Sequence, residues 1–142
     1  MAITYDLATS PRSEDDKIVI AGLQASNAQL TGHTTQHYSV FARNESGKII
    51  GGSLVYVGRD SAFIDVIWVD PSYRLQGIGQ SLLKEAEKQA QKHDCIWIKL
   101  DTYEFQAPEF YLKCGFEIYG EVKNYTREQS KIFLRKKVMI IT

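Results

Sequence analysis

The residues best suited to chemistry lie in the run Arg74-Leu75-Gln76-Gly77-Ile78-Gly79, which joins an apolar, strand-like segment to an amphipathic, helix-like one. A strand-to-helix turn with glycines at alternate positions exposes backbone N–H groups at the start of a helix. These amides and the helix dipole both favour negative charge, so such a turn can hold a phosphate without a metal. Glycine suits the turn because a Cβ would obstruct a close ligand and restrict φ. The run therefore predicts a small-molecule ligand that carries a phosphate group.

The segments around this turn predict a mixed sheet with helices. After Ile78, apolar residues recur at three- and four-residue intervals, which indicates a helix with one buried face. Ser13 resembles the N-cap of an earlier helix that runs to about residue 28, and Pro108 lies in the first turn of a short one. Strands are predicted at residues 3–8, 38–43, 48–57, 62–69, 95–100, 116–122 and 131–140.

Length and composition are those of an ordinary globular protein. The 142 residues most simply form one domain, with 44% hydrophobic and 24% charged residues. Lysine plus arginine and aspartate plus glutamate number 17 each, and this zero net charge lacks the usual footprint of a nucleic-acid binder. No N-terminal signal or apolar run of about 18 residues is present, so we expect a cytoplasmic protein without a membrane partner.

The cysteines and histidines predict neither a disulfide nor a metal site. Cys95 and Cys114 have no metal-ligating neighbours and are typical of reduced, buried thiols. His33 and His37 are four residues apart, but their segment resembles a loop and no third ligand is evident. We therefore expect no metal.

Two motifs make the chain similar to the GCN5-related N-acetyltransferases, the GNAT superfamily. Arg74, Gly77 and Gly79 match the acetyl-CoA signature Arg/Gln-x-x-Gly-x-Gly/Ala, preceded by the apolar lead-in at 67–71. Residues 107–116 resemble the family segment Ala-x-x-Phe-Tyr-x-x-x-Gly-Phe. The resemblance implies an α/β (α+β) fold in a single domain over residues 1–142. Its central sheet would be mixed, mostly antiparallel and of six or seven strands, with helices on both faces.

The same resemblance implies acetyl-CoA as cosubstrate, without a metal. The turn amides would hold the CoA pyrophosphate, and the strand backbone before the turn would pair with the pantetheine arm and polarise the thioester carbonyl. Arg74 either approaches phosphate or organises the turn. The residues implied to bind the cosubstrate are Ile67, Trp68, Val69, Arg74, Leu75, Gln76, Gly77, Ile78, Gly79 and Gln80.

Tyr111, Asp65 and Glu104 are the candidate catalytic residues. Tyr111 occupies the position at which relatives often place a tyrosine that protonates the departing CoA thiolate; alternatively, it is a core tyrosine whose hydroxyl has a structural partner. A lysine-type amine has a pKa near ~10.4, so a carboxylate that accepts its proton would assist attack. Asp65 is the only charge in an apolar strand, and it either acts as this base or faces solvent. Glu104 stands where the family often has a pantetheine-binding asparagine, and it either faces the acceptor or lies in solvent.

These residues favour an N-acetyltransferase in which a primary amine attacks acetyl-CoA directly within a ternary complex. The alternative is a noncatalytic acyl-CoA-binding sensor or regulatory module. A Rossmann-type domain fits less well, because repeated strand–helix–strand units and the full glycine fingerprint are missing. The acceptor, a small-molecule or peptide amine, is left open by the sequence. Family members frequently form homodimers, but the residues fix no interface.

Overall fold

The computed structural model describes residues 2–10, 13–106 and 108–139. The chain divides into two compact units, residues 1–34 and residues 35–142. The second unit contains the whole of the sheet that is described. A single domain over residues 1–142 therefore stays a prediction.

The first unit contains one long helix, α1 (Glu14–Thr31). Ser13 is its N-cap, as predicted, and its side chain accepts a hydrogen bond from the amide of Asp16 at 3.3 Å. The helix continues past the predicted end at residue 28 because its stop signal is Gly32. That glycine has a φ of 75° and donates its amide to the carbonyl of Ala28 at 2.8 Å.

The predicted strand at residues 3–8 is wrong. These residues have no regular secondary structure, and the side chains of Ile3, Tyr5 and Leu7 are exposed. Alternation of apolar residues shows only that a segment has two different faces. A strand also needs a neighbour that accepts its backbone hydrogen bonds, and no ladder includes these residues.

The second unit is built on a six-stranded sheet in the order β1-β2-β3-β4-β6-β5. Its strands are β1 (Gln36–Arg43), β2 (Ile49–Gly58), β3 (Ser61–Val69), β4 (Trp97–Tyr103), β5 (Glu117–Thr126) and β6 (Gln129–Lys137). All neighbours are antiparallel except β3 and β4, which are parallel. The predicted mixed, mostly antiparallel sheet is thus confirmed, with six strands. The last strand was predicted to reach Ile140, which lies outside the described residues.

Two helices connect the strands of this sheet. The parallel pair β3 and β4 requires a crossover, which α2 (Ile78–Lys92) supplies. α3 (Pro108–Lys113) connects β4 to β5, and Ala107 of its predicted motif lies outside the described residues. Short 3-10 helices cover Pro71–Tyr73 and Glu104–Gln106.

Both of these helices pack on the same face of the sheet, which we call the core face. α2 buries Leu82, Leu83, Ala86 and Ala90. From α3, Tyr111 joins the hydrophobic cluster that also contains Ile98 and Leu100 of β4. Side chains alternate along a strand, so Phe63 and Lys99, which follow the core residues Ala62 and Ile98, project from the opposite side of the sheet. We call that side the second face. This alternation places the apolar core beneath the helices and leaves the second face with mainly polar and aromatic residues, besides exposed aliphatic ones such as Leu54 and Val66.

Candidate active site

The centre of the sheet contains a fork between β3 and β4. The two strands pair only over residues 61–63 and 97–99, and then separate. β3 also carries an irregularity, because its Ile64 and Val66 lie opposite adjacent residues of β2 and Asp65 is extra. An extra residue of this kind bends a strand. The bend and the early end of pairing open the fork between residues 64–69 and residues 100–103.

A cleft of about 870 Å³ occupies this fork. That volume is within the range of small-molecule and cofactor sites. The cleft lies between β3, β4, the turn before α2, and α3. Every predicted site residue lines it except Gln76, which lies in a smaller depression beside it, and Glu104. The sequence analysis missed several lining residues, chiefly Asp101, Thr102 and Phe110.

The turn before α2 presents free amides at the rim of this cleft. Leu75 has a φ of 64° and Gly77 a φ of 79°, so the chain turns sharply into the helix. The first helical hydrogen bond runs from the amide of Ser81 to the carbonyl of Gly77 at 3.1 Å. Within the described residues, no amide from residue 75 to residue 80 donates a hydrogen bond. These N–H groups are therefore available to an anion.

Glycine is favoured at the two positions of the turn for different structural reasons. A Cβ at Gly77 would meet no atom within 4 Å, so the positive φ and the space for a ligand are what favour glycine there. A Cβ at Gly79 would lie 3.1 Å from Cζ of Phe110. Gly79 thus allows α3 to approach the start of α2, which brings Tyr111 close to the turn.

Arg74 organises the turn. Its Nε donates a hydrogen bond to the carbonyl of Val69 at 3.0 Å, which connects the end of β3 to the first residue of the turn. Asp70 stabilises the same segment, because its carboxylate accepts a hydrogen bond from the amide of Ser72 at 2.8 Å. Of the two roles expected for Arg74, this contact supports the structural one.

Tyr111 has a buried ring and a hydroxyl without a partner. Only 9% of the residue is exposed, and its ring packs edge-on against Phe110 and Phe116. Its hydroxyl forms no hydrogen bond with any described residue. Burial, with a smaller effect of Cys114, raises the pKa of Tyr111 above its ordinary value of 10.0. The phenol therefore stays protonated at neutral pH and can act as a donor.

The carboxylates occupy different positions. Asp65 is exposed, lines the cleft, and forms no ion pair with the rest of the described chain. Glu104 is also exposed but lies in a 3-10 helix outside the lining of the cleft. Asp101, which the sequence analysis did not select, lines the cleft from β4, and its Oδ1 lies 3.3 Å from Nζ of Lys131.

Other classes of site have less support. In the described part of the chain, no group of three or more His, Cys, Asp or Glu side chains could hold a metal ion. Cys95 and Cys114 are both free thiols. Across residues 2–10, 13–106 and 108–139, none of the helices has the length and apolar character needed to cross a membrane.

Comparison with known proteins places this chain in a family. Residues 4–116 match the profile of the Acetyltransferase (GNAT) family. The chain is 33% identical over 89 residues to the blasticidin-S acetyltransferase of Streptomyces morookaense, a match that covers 62% of this chain and 65% of that protein. It thus spans slightly less than two thirds of that relative.

Solved structures agree with this result. A Bacillus cereus acetyltransferase is 34% identical, with a TM-score of 0.75 and coverage of 94% of this chain and 97% of the other. A provisionally assigned streptothricin acetyltransferase from Bacillus anthracis, in complex with acetyl coenzyme A, is 27% identical, with a TM-score of 0.66. That match covers 71% of this chain and 62% of the other. The protein described here therefore belongs to the GNAT family of acetyltransferases.

Proposed function

We propose that this protein transfers an acetyl group from acetyl-CoA to a primary amine, by direct attack within a ternary complex. The observation that carries the proposal is the cleft at the fork. It brings together free amides at a helix N-terminus, strand edges that β3 and β4 do not use for each other, and the unpartnered hydroxyl of Tyr111.

The cosubstrate fits the cleft from the turn inward. The amides of residues 75–80 bind the pyrophosphate of acetyl-CoA, because they are free and lie at the positive end of α2. The pantetheine arm then runs along the backbone of Ile67, Trp68 and Val69, as a strand would. The acetyl-CoA complex of the streptothricin acetyltransferase relative supports this choice of cosubstrate.

The chemistry is a direct acyl transfer. The amine nitrogen attacks the thioester carbonyl carbon, the C–N bond forms, and the C–S bond breaks with CoA leaving as a thiolate. Tyr111 donates its proton to the sulfur, which suits a phenol whose pKa is raised by burial. An amine of lysine type costs roughly 4–5 kcal/mol to hold neutral at pH 7, so a base for its proton lowers the barrier.

A covalent acyl-enzyme is a poorer route. Burial raises the pKa of the Cys95 thiol and, with smaller opposing effects from two lysines, that of Cys114. The thiolate is the nucleophile in such chemistry, so both residues are poorly activated. Neither cysteine lines the cleft.

The acceptor that we propose is a small-molecule amine. Two of the similar proteins take their names from an acceptor, and both of these acceptors, blasticidin S and streptothricin, are small molecules. The acceptor would enter the cleft beside the acetyl-CoA site, where lining residues such as Asp65 are exposed to solvent.

The test has two steps, cosubstrate binding and turnover. Calorimetry should show saturable binding of acetyl-CoA, and CoA release over a panel of primary amines should identify an acceptor whose acetylated product appears by mass spectrometry. Failure to bind acetyl-CoA would contradict the proposal. Binding without turnover on any amine would instead support the noncatalytic acyl-CoA sensor.

A further inference from the structure

The short helix α3 packs closely at both of its ends. At its start, Gly79 of α2 leaves room for the ring of Phe110, since a Cβ there would lie 3.1 Å from Cζ. At its end, Gly115 has a φ of 96°, and a Cβ there would lie 3.2 Å from Cε of Lys136 in β6. Tyr111 lies between these two contacts. The position of its hydroxyl in the cleft therefore depends on how both ends of the helix are held.

The turn after α3 holds the backbone of Tyr111 directly. The carbonyl of Tyr111 accepts a hydrogen bond from the amide of Cys114 at 3.0 Å and another from the amide of Phe116 at 3.0 Å. The ring of Phe116 also packs edge-on against that of Tyr111, with the ring centroids 6.1 Å apart. Gly115 lies between the two amide donors, and its positive φ gives the turn its shape. A shift of this turn would therefore move Tyr111.

The side chain of Lys136 supports this turn from the core face of the sheet. Lys136 is paired with the buried Ile98 of β4, so both side chains project to that face. The atoms nearest to the position of a Cβ on Gly115, outside its chain neighbours, are Cε and Nζ of Lys136, at 3.2 and 3.5 Å. The same Nζ lies 2.9 Å from Oε1 of Glu87 in α2. The ion pair thus fixes the lysine chain between α2, β6 and the end of α3.

A second ion pair on α2 shows what is special about this one. Nζ of Lys88 lies 3.2 Å from Oε1 of Glu85, both on the helix itself, and 66% and 50% of these side chains are exposed. An exposed pair within one helix contributes little to stability. Only 30% of the Lys136 side chain and 15% of the Glu87 side chain are exposed. Loss of one partner here leaves a half-buried charge that must move toward solvent, and this movement takes the lysine chain away from Gly115.

We propose that the Glu87–Lys136 ion pair positions Tyr111, so that its hydroxyl lies where proton donation to the thioester sulfur needs it. This inference rests on the proposed acetyl transfer and adds two positioning residues, neither of which lines the cleft. Glu87 holds the ammonium, the lysine chain supports the turn, and the turn holds the carbonyl of Tyr111. Because proton transfer needs a heavy-atom distance of about 2.6–3.2 Å, a displacement of about 1 Å is enough to impair it.

The position of the Tyr111 ring tests the inference without requiring turnover. The full chain is labelled with ¹³C in its tyrosine rings, and the NMR signals of Tyr111 are identified by their loss in Tyr111→Phe. We expect Glu87→Gln and Lys136→Met to shift these signals. Lys88→Met is the matched control, because it breaks the exposed pair of the same helix and should leave the Tyr111 signals in place. Unchanged Tyr111 signals in both Glu87→Gln and Lys136→Met would overturn the inference.

Turnover with the best amine of the panel separates positioning from general stability. In Glu87→Gln and Lys136→Met, kcat should fall about tenfold, whereas the acceptor KM and the affinity for acetyl-CoA should match the parent, since both substrate sites are intact. In the Tyr111→Phe background the same two substitutions should leave kcat unchanged, because the group that they position is already absent.

The outcomes for the ion pair and for acetyl transfer can be told apart. A loss of kcat in the Tyr111→Phe background equal to that in the parent would overturn the positioning role and leave acetyl transfer standing. Absence of turnover in the parent would contradict the proposed function alone, and the Tyr111 signals would still decide whether the ion pair positions the ring.

Discussion

The two ends of the β3–β4 pair differ in exposure, although they belong to the same two strands. We call residues 61–63 and 97–99 the paired end, and residues 64–69 and 100–103 the open end. At the paired end, Ala62 and Ile98 are opposite each other and 0% exposed. At the open end, Trp68 is 46% exposed and Asp65 is exposed as well. The difference arises from one extra residue in β3 and from the point at which pairing stops. The comparison separates the part of the sheet that stabilises the protein from the part available to ligands.

The largest effect should come from the paired end. Ile98→Ala removes a fully buried side chain from the cluster beneath α2 and should lower the free energy of unfolding by about 3–4 kcal/mol. Denaturant-induced unfolding measures this loss of free energy. Ile98→Val, which removes a single methyl group, should cost only about 1 kcal/mol. If the folded Ile98→Ala protein bound acetyl-CoA more weakly than the parent, the separation between the two ends would be wrong.

At the open end, Gly77→Val should act on binding. A β-branched residue at a φ of 79° distorts the turn, and its side chain obstructs the free amides, so acetyl-CoA affinity should fall about 100-fold by calorimetry. Gly47→Val is the matched control. Gly47 has a similar φ of 84° and no atom within 4 Å of a Cβ, but it lies in the β1–β2 turn and not in the cleft. Unchanged affinity in Gly77→Val would refute the phosphate assignment.

Tyr111→Phe should act on turnover rather than on binding. Loss of the proton donor should lower kcat about 100-fold, with acetyl-CoA affinity unchanged. Tyr38→Phe is a suitable control, because its hydroxyl donates to the carbonyl of Ala86 at 2.7 Å and should cost about 1 kcal/mol of stability without loss of turnover. Equal kcat in Tyr111→Phe and the parent would remove Tyr111 from the mechanism.

Arg74 should show the smallest effect. Arg74→Met removes the hydrogen bond to Val69 and should weaken acetyl-CoA binding by about 1 kcal/mol, or roughly fivefold. Arg74→Lys distinguishes the two roles of the residue, since it keeps the charge but loses the Nε donor. We expect Lys to behave as Met does. Parent-like affinity in Arg74→Lys would favour a direct contact with phosphate.

The open and the paired end also differ in how well the sequence predicts them. The strand, the glycine turn and the amphipathic helix form a continuous segment, so local pattern and turn chemistry were enough to predict them. Asp101 was missed because its place in the lining of the cleft depends on where β3 and β4 stop pairing, a property of two segments whose paired residues, such as Phe63 and Lys99, are far apart in the sequence. Glu104 was selected for its place in a family motif, yet the 3-10 helix that follows β4 carries it away from the cleft.

The N-terminal segment shows the same limit. Residues 3–8 alternate as a strand does, but alternation does not indicate whether a neighbouring strand exists. By contrast, Ser13 and Gly32 set the ends of α1 through hydrogen bonds within the helix itself, so the sequence signals there act locally.

A sheet that parts in the middle also has a consequence for solubility. Unpaired strand edges can pair with strands from other molecules, which is a route to aggregation. Here the unused edges of β3 and β4 face one another inside the sheet, and β2 and β6 cover their outer sides. A slender, extended molecule can enter such a gap, but a whole strand of another protein meets steric hindrance from both arms. The gap can therefore keep bare backbone ready for a ligand with little risk that a strand of another molecule adds there.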